Sequence, residues 1–134
     1  MEGIRAHQKI QREYSKDFLT EVFLRTHEEI EGINFIVEGR ADGIEVSDQV
    51  TVDEIKSTTR DLKELEKGEN IMHWAQAKCY AYIYAKDHEL DEIDVMLTYY
   101  QLETEETINI KKTFSFGELR DFFMGTLVEY LEFS

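Results

Sequence analysis

Two carboxylates and an amine occupy positions where a β-sheet ordinarily carries apolar side chains. In "VEGRADGIEVSDQVTVDEIKST" (37–58) two extended runs flank the turn residues "SDQ", the pattern of a β-hairpin. Side chains alternate between the two faces of a strand, so Val50 and Val52 share a face with Glu54 and Lys56. By the same count Asp42 shares a face with Ile36 and Ile44 in the preceding strand. Burying unpaired ionised groups costs several kcal/mol each. One way to relieve that cost is an ion pair of Asp42 or Glu54 with Lys56 or Arg40. The other is a divalent cation: converging carboxylates repel and take up protons, and Mg²⁺ both removes the repulsion and prefers hard oxygen ligands. Neighbouring strands would set Asp42 beside Glu54, with the Ile55 carbonyl at hand and Lys56 one inward position further on. The strand runs into "STTR", so the group would open into a polar loop at a strand end, where sites in α/β sheets gather.

Two more groups lie within reach of such a site. Gln76 and Tyr80 are spaced i, i+4 in "IMHWAQAKCYAYIYAKDH" and share one face of an otherwise apolar helix. His7 falls on the apolar stripe of the first helix with Ile4, Ile10 and Tyr14, which suits either a core histidine or a ligand. Asp53 has the opposite parity to Glu54 and is expected in solvent. His73, Trp74, Tyr82 and Tyr84 are expected to pack, with a stacking platform for bases as the alternative, and Cys79 to act as a small hydrophobe. The acidic run "EEIEG" and the tail "LVEYLEFS" read as solvated faces.

The elements that must position these groups follow from periodicity. Residues 2–17 read as a helix, 18–30 contain a strand with Val22 and Leu24 on one face, and 33–46 form a long or bent strand. Gly39 and Gly43 within it mark a bulge or a close approach to the backbone. A strand at 50–58 is followed by a polar loop with one helical turn, then by a helix over 71–87 capped by Asn70. That helix is apolar nearly all round and is expected to be buried. Strands at 92–102 and 106–116 and a closing helix at 116–133 complete the order α-β-β-β-α-β-β-α. The class is α/β (α+β), a mixed central sheet flanked by helices.

Composition bounds the rest. A chain of 134 residues, 42% hydrophobic and 33% charged, suits a single domain over 1–134 with its own core. One cysteine allows neither an internal disulfide nor a four-cysteine metal site. No apolar run reaches membrane-spanning length and the start is too polar for a signal peptide, so a cytoplasmic location is expected. The net charge of −14 weighs against broad contact with nucleic acid, because phosphates are held by Lys and Arg. Local groups qualify that: Arg5, Lys9 and Arg12 along the first helix, and Arg40, Lys56, Arg60, Lys63 and Lys67 around the carboxylates. No G-x-x-x-x-G-K-[ST] is present, so the chain is not itself a nucleotide-driven motor.

Taken together, these residues resemble the PD-(D/E)XK nuclease superfamily, in the branch of the RecBCD exonuclease domain and the CRISPR-associated exonucleases. They are most similar to the nuclease-like module at the N-terminus of some XPD-like bacterial DNA helicases. The resemblance rests on Gly3 and His7 in "EGIRAHQKIQ", Asp42 in "VEGRADGI", Glu54-Ile55-Lys56 in "DEIKST", and Gln76 and Tyr80 in "HWAQAKCYAYIYA", in that order over residues 3–80. It implies a restriction-endonuclease-like core and hydrolysis of DNA phosphodiester bonds with Mg²⁺ or Mn²⁺, on single strands or ends, in repair or recombination. It makes His7, Asp42, Glu54 and the Ile55 carbonyl the metal ligands, with Asp42, Glu54 and Lys56 catalytic. Gln76 and Tyr80 would orient nucleic acid or a metal-bound water, with Arg40 and Arg60 as further nucleic-acid contacts, and helicase motor domains would be partners in cis or in trans. The rival readings are a non-catalytic nucleic-acid-binding accessory domain of a helicase and an acidic protein-interaction domain whose buried charges are merely paired.

Overall fold

The computed structural model describes residues 2–68 and 70–133; Met1, Glu69 and Ser134, the last in the tail expected in solvent, lie outside the described residues. The elements are α1 (Glu2–Arg12), β1 (Phe18–Ile30), β2 (Ile33–Glu45), β3 (Thr51–Thr58), α2 (Leu62–Lys67), α3 (Ile71–Asp87), β4 (Glu92–Gln101), β5 (Thr107–Ser115) and α4 (Phe116–Phe133). The expected α+β order is present, with α2 as the helical turn of the polar loop. The five strands lie in sequence order in one mixed sheet, in which only β3 and β4 run parallel. A parallel pair needs a crossover, and α3 supplies it.

The two faces of the sheet are covered unequally. On one, α3 and α4 close the main core. Ala77, Ala81 and Ala85 recur every four residues along α3 at 0% exposure, so the helix backbone sits close to Val52, Val95 and Leu97. The first turn of α3 escapes this: Ile71 and Met72 are exposed, so the helix is not buried all round. On the other face α1 packs Ala6 and Ile10 onto Ile55 and Tyr100. This helix ends at Arg12, short of the expected 17, and Tyr14 beyond it stacks on Phe18 with ring centroids 4.0 Å apart. Asn70 does stand at the start of α3, but its side chain makes no cap; it donates to the Leu65 carbonyl at 3.4 Å.

One irregularity falls at Asp42. The β1–β2 register is continuous, but Glu21 and Asp42, which should face each other, are unpaired, and Glu21 has φ of +52°. The faces change over there. Val22, Leu24 and Ala41 pack in the main core, as does Ile44, whereas Gly43 lies against Tyr14 on the α1 face. The strict alternation that puts Ile36 on the same face as Asp42 and Ile44 therefore fails, and Ile36 is exposed. Pairing of β2 with β3 is correspondingly short. It covers Gly43–Asp53, Ile44–Val52 and Glu45–Thr51 and stops where Asp42 and Glu54 would come next.

Candidate active site

The break in the ladder leaves backbone groups to satisfy, and the two carboxylates do it. Asp42 Oδ2 accepts the Ile55 N–H at 2.7 Å, and Glu54 Oε2 accepts the Asp42 N–H at 3.0 Å. Each acid thus replaces a ladder bond on the opposite strand, which holds both carboxyl groups together in the gap between β2 and β3. Glu54 is 2% exposed. Burial, and then its hydrogen bond to Asp42, push its carboxyl up to about 9. Burial works against the charge on Asp42 too, but hydrogen bonds from His7, Glu54 and the Ile55 amide outweigh it and keep that carboxyl below the usual range. The pair therefore holds one proton near neutral pH, carried by Glu54 and shared with an ionised Asp42.

His7 comes over from α1. Its Nδ1 lies 2.7 Å from the Gly3 carbonyl, which can only accept, so Nδ1 carries a proton. Nε2 then faces Asp42 Oδ2 at 3.5 Å. The contact with Asp42 raises the imidazole's pKa. A neutral imidazole would aim a lone pair at a carboxylate, so this geometry calls for a proton or a cation between the two atoms.

Lys56 lies on the α3 face of β3, as its parity requires. Its ammonium donates to Gln76 Oε1 at 2.6 Å and makes no ion pair with Asp42 or Glu54. The ion pairs weighed from the sequence, of either acid with Lys56 or Arg40, are not formed. The Tyr80 hydroxyl meets the Gln76 side chain and the Arg40 backbone. Tyr80 can lie there only because residue 39 is glycine: a Cβ at Gly39 would fall 2.7 Å from the Tyr80 ring. Arg40 and Arg60 are exposed; Arg40 meets Tyr80 through its backbone, and Arg60 lies close enough to Tyr99 to act on its hydroxyl.

The structure thus brings together His7, Asp42, Glu54 and the backbone of Ile55, with Lys56, Gln76 and Tyr80 next to them. Among the described residues no three His, Cys, Asp or Glu side chains already surround one point as a metal cage. The donor set nevertheless fits a hard divalent cation. Two carboxyl groups share a proton that such an ion would replace, and an imidazole nitrogen is aimed at one of them.

Two acids behave differently from expectation. Asp53, expected in solvent, is 0% exposed, because α1 and Tyr14 cover the face that parity assigns to it. The Tyr14 hydroxyl donates to its Oδ2 at 2.5 Å and the Thr98 hydroxyl to its Oδ1 at 2.6 Å, while burial pushes the carboxyl up to about 6. Glu28, the first residue of the "EEIEG" run, is buried too and accepts from Tyr82 at 2.6 Å and Lys86 at 2.8 Å. In the tail expected in solvent, Leu127 packs into the main core. Trp74, Tyr82 and Tyr84 are buried as expected; Cys79 is half-buried, and His73 accepts or donates at 2.7 Å with the Tyr99 hydroxyl. Gln11 carries no signal in spacing; its Nε2 bridges the Asp42 carbonyl at 3.1 Å and Glu21 Oε1 at 3.0 Å, tying α1 to the distorted pair of strands.

No family model matches this chain, and no curated protein matches it. Among solved structures, the crystal structure of SSO0001 matches with a TM-score of 0.61 at 19% identity, over 94% of this chain and 58% of that one. The chain thus spans less than two thirds of that protein, and at this identity the likeness is one of fold. Among the described residues no helix is long and apolar enough to cross a membrane.

Proposed function

We propose that this chain is a Mg²⁺- or Mn²⁺-dependent nuclease of the PD-(D/E)XK type that hydrolyses DNA phosphodiester bonds, acting on single strands or ends. The observation that carries the reading is the Asp42–Glu54 carboxyl pair, buried in a gap between two strands with no lysine paired to it. The base in contact with the pair is His7, whose Nε2 faces Asp42 Oδ2 at 3.5 Å and is of a type that ligates metals, while Lys56 is held 2.6 Å from the Gln76 amide oxygen and left to other work.

Each residue then has a role. His7 Nε2, one oxygen each of Asp42 and Glu54, and the Ile55 carbonyl would hold the cation. When bound, it supplies positive charge that acidifies water and offsets charge developing on the phosphate oxygens. Glu54 gives up its proton on binding. Lys56 Nζ, held by Gln76, orients the attacking water or meets the developing negative charge. Gln76 and Tyr80 orient the nucleic acid, and Arg40 and Arg60 meet phosphates at the margin. This rim is modest for a chain of net charge −14, so binding is weak and salt-dependent, and helicase motor domains acting in cis or in trans would supply most of the grip.

One observation favours a second reading. Among the described residues no three ligands are already gathered round one point, as a non-catalytic accessory domain would have it. Labelled single- and double-stranded DNA in Mn²⁺ at low salt separates the two. The nuclease reading expects cleavage by the wild type, and a loss of about a hundredfold or more in both Glu54→Gln and Lys56→Ala. A wild type that neither cleaves nor gains melting temperature with Mn²⁺ overturns it.

A further inference from the structure

The helix that carries His7 is basic, in a chain that is not. From residue 3 to residue 12 the sequence holds Arg5, Lys9 and Arg12 and no acid, although the whole chain has 29 acids against 15 cations. At i, i+4 and i+7 the three cations share one flank of α1. Ala6 and Ile10 form the buried face, and on its far side His7 and Gln11 reach Asp42. On the cationic flank a cleft of about 350 Å³ opens between α1 and the end of β4, lined by Arg5, Lys9 and Arg12 with Tyr100 and Leu102. Lys9 is fixed there: its Nζ donates to the Tyr100 hydroxyl at 3.3 Å and lies 5.2 Å from the ring centroid. The one acid in the lining is Glu105, exposed, its Oε1 3.8 Å from Lys9 Nζ. Glu13 also acts on Lys9 from just beyond the helix. Arg5 and Arg12 are exposed.

We propose that α1 is a saddle for a single nucleic-acid strand, whose phosphates lie in the Arg5–Lys9–Arg12 cleft and which crosses Gln8 to reach the carboxylates. The inference deepens the nuclease reading and takes its class of occupant from it. Charge selects a polyanion: three cations meet one carboxylate in this cleft, whereas the chain as a whole carries −14 and repels phosphate elsewhere. Spacing suits a nucleic-acid backbone. Arg5 and Arg12 stand ~10.5 Å apart along the helix axis, at 1.5 Å per residue. One strand of DNA carries a charge every ~3.4 Å of axis, so the flank spans about three phosphates.

The path to the carboxylates is continuous. A second cleft, of about 540 Å³, opens on the His7 flank of the same helix, and Gln8 lines both clefts. The two therefore meet over Gln8, which is exposed on the outer side of α1. The lining of the second cleft differs in kind. It has no lysine or arginine; Ile4 is 57% exposed there, and Glu21 adds a carboxylate. Such a lining disfavours phosphate and suits the uncharged sugar and base of a nucleotide next to His7. The clefts are a helix diameter of ~10 Å apart, a distance a flexible single strand bridges by curving over α1. A stiff duplex does not follow so tight a curve.

The test is fluorescence anisotropy of a labelled oligo(dT) 15-mer titrated with the whole chain in EDTA at several salt concentrations. The wild type is expected to bind, and Arg5→Gln/Arg12→Gln to bind tenfold or more weakly. That variant should also flatten the log–log salt slope by ~1.4, at ~0.7 for each single-strand phosphate no longer neutralised. Lys16→Gln/Lys111→Gln removes the same charge from exposed positions elsewhere and should leave the slope unchanged. Glu105→Gln removes the acid from the cleft and should tighten binding, and Gln8→Glu should weaken it by placing a charge where the strand crosses. Circular dichroism and melting temperature confirm that each variant is folded. Absent binding, or binding unchanged in Arg5→Gln/Arg12→Gln or in Gln8→Glu, overturns the proposal. So does equal weakening in the Lys16 and Lys111 control, which would make net charge the cause. Equal competition by polyglutamate would make the cleft a general anion surface and overturns it too. Because the titration runs without metal, its failure is separable from that of the nuclease reading. Cleavage that does not depend on Arg5 and Arg12 keeps the carboxylate site and loses the saddle, and binding through them without cleavage does the reverse.

Discussion

Replacing Glu54 by Gln keeps the shape of the side chain and fixes it in a neutral form, so it isolates what the shared proton does. In the folded protein this carboxyl is pushed from 4.5 up to about 9, by burial first and by Asp42 next. The folded state therefore binds this proton more tightly than the unfolded chain. The stability it contributes is fully present below pH 4.5 and is lost as pH rises toward 9. At 1.36 kcal/mol per pH unit, the loss from one group reaches ~4 kcal/mol by pH 7.5. That is a large share of the ~5–15 kcal/mol of a typical domain. His7 and Asp53, both raised, push stability the same way, but they are present in both proteins and largely cancel in the difference. Urea unfolding in EDTA at pH 5, 6.5 and 8, followed by circular dichroism, should show the wild type falling steadily against Glu54→Gln, which becomes the more stable protein at the alkaline end. Mn²⁺ should then restore the wild type at pH 8 with release of about one proton per ion, and leave Glu54→Gln unmoved. Parallel stability curves for the two proteins across this range would refute the protonated Glu54 and with it the account of the carboxyl pair.

Other perturbations test the surroundings. Gly39→Ala places a methyl group 2.7 Å from the Tyr80 ring, so it should cost ~1–3 kcal/mol in urea unfolding and reduce DNA cleavage by displacing Tyr80. Tyr14→Phe removes the donor to Asp53 Oδ2 and should destabilise by ~1–3 kcal/mol, with the loss growing above pH 6 as Asp53 ionises, read from melting temperature against pH. Glu28→Ala strips Tyr82 and Lys86 of their common acceptor and should cost ~2 kcal/mol by urea unfolding at neutral pH. Because Lys86 and Tyr82 hold that carboxyl below its usual range against burial, the difference between the two proteins should shrink as the pH falls below 4.5.

The regular parts of this fold are legible because each shows one period. The alternation of Val50, Val52, Glu54 and Lys56 identifies the face of β3, and the apolar run from Trp74 to Ala85 identifies the crossover helix. What is not legible depends on partners distant in sequence. Asp53 reads as solvated because parity assigns it to the face away from the main core, and parity cannot say that α1 lies on that face. Glu28 sits in an acidic run, and nothing local predicts that Tyr82 and Lys86, more than fifty residues on, converge on it. Asn70 has the right type and place for a cap, and its amide finds the Leu65 carbonyl instead.

The failure of alternation in β2 has a further meaning, because it falls at the candidate site itself. A regular strand would pair Asp42 with Glu21 on one side and with Glu54 on the other, and each acid would be one more side chain beside a closed ladder. Here the ladder to β1 skips Asp42 and resumes beyond it, and the ladder to β3 ends before it. An unpaired amide in a buried gap is costly, so a group that can accept must be supplied from the chain. The side chains in register to supply it are the two carboxylates, each reaching the strand opposite. The two carboxylates that look out of place in the sequence are thus required by the break. Substituting either with a non-accepting residue should open the gap and loosen β2 from β3, even if the chain has no catalytic activity. Loss of cleavage in an alanine variant therefore does not by itself identify the site, whereas Glu54→Gln, which still accepts the Asp42 N–H through its amide oxygen, separates the chemistry of the carboxylate from its place in the sheet.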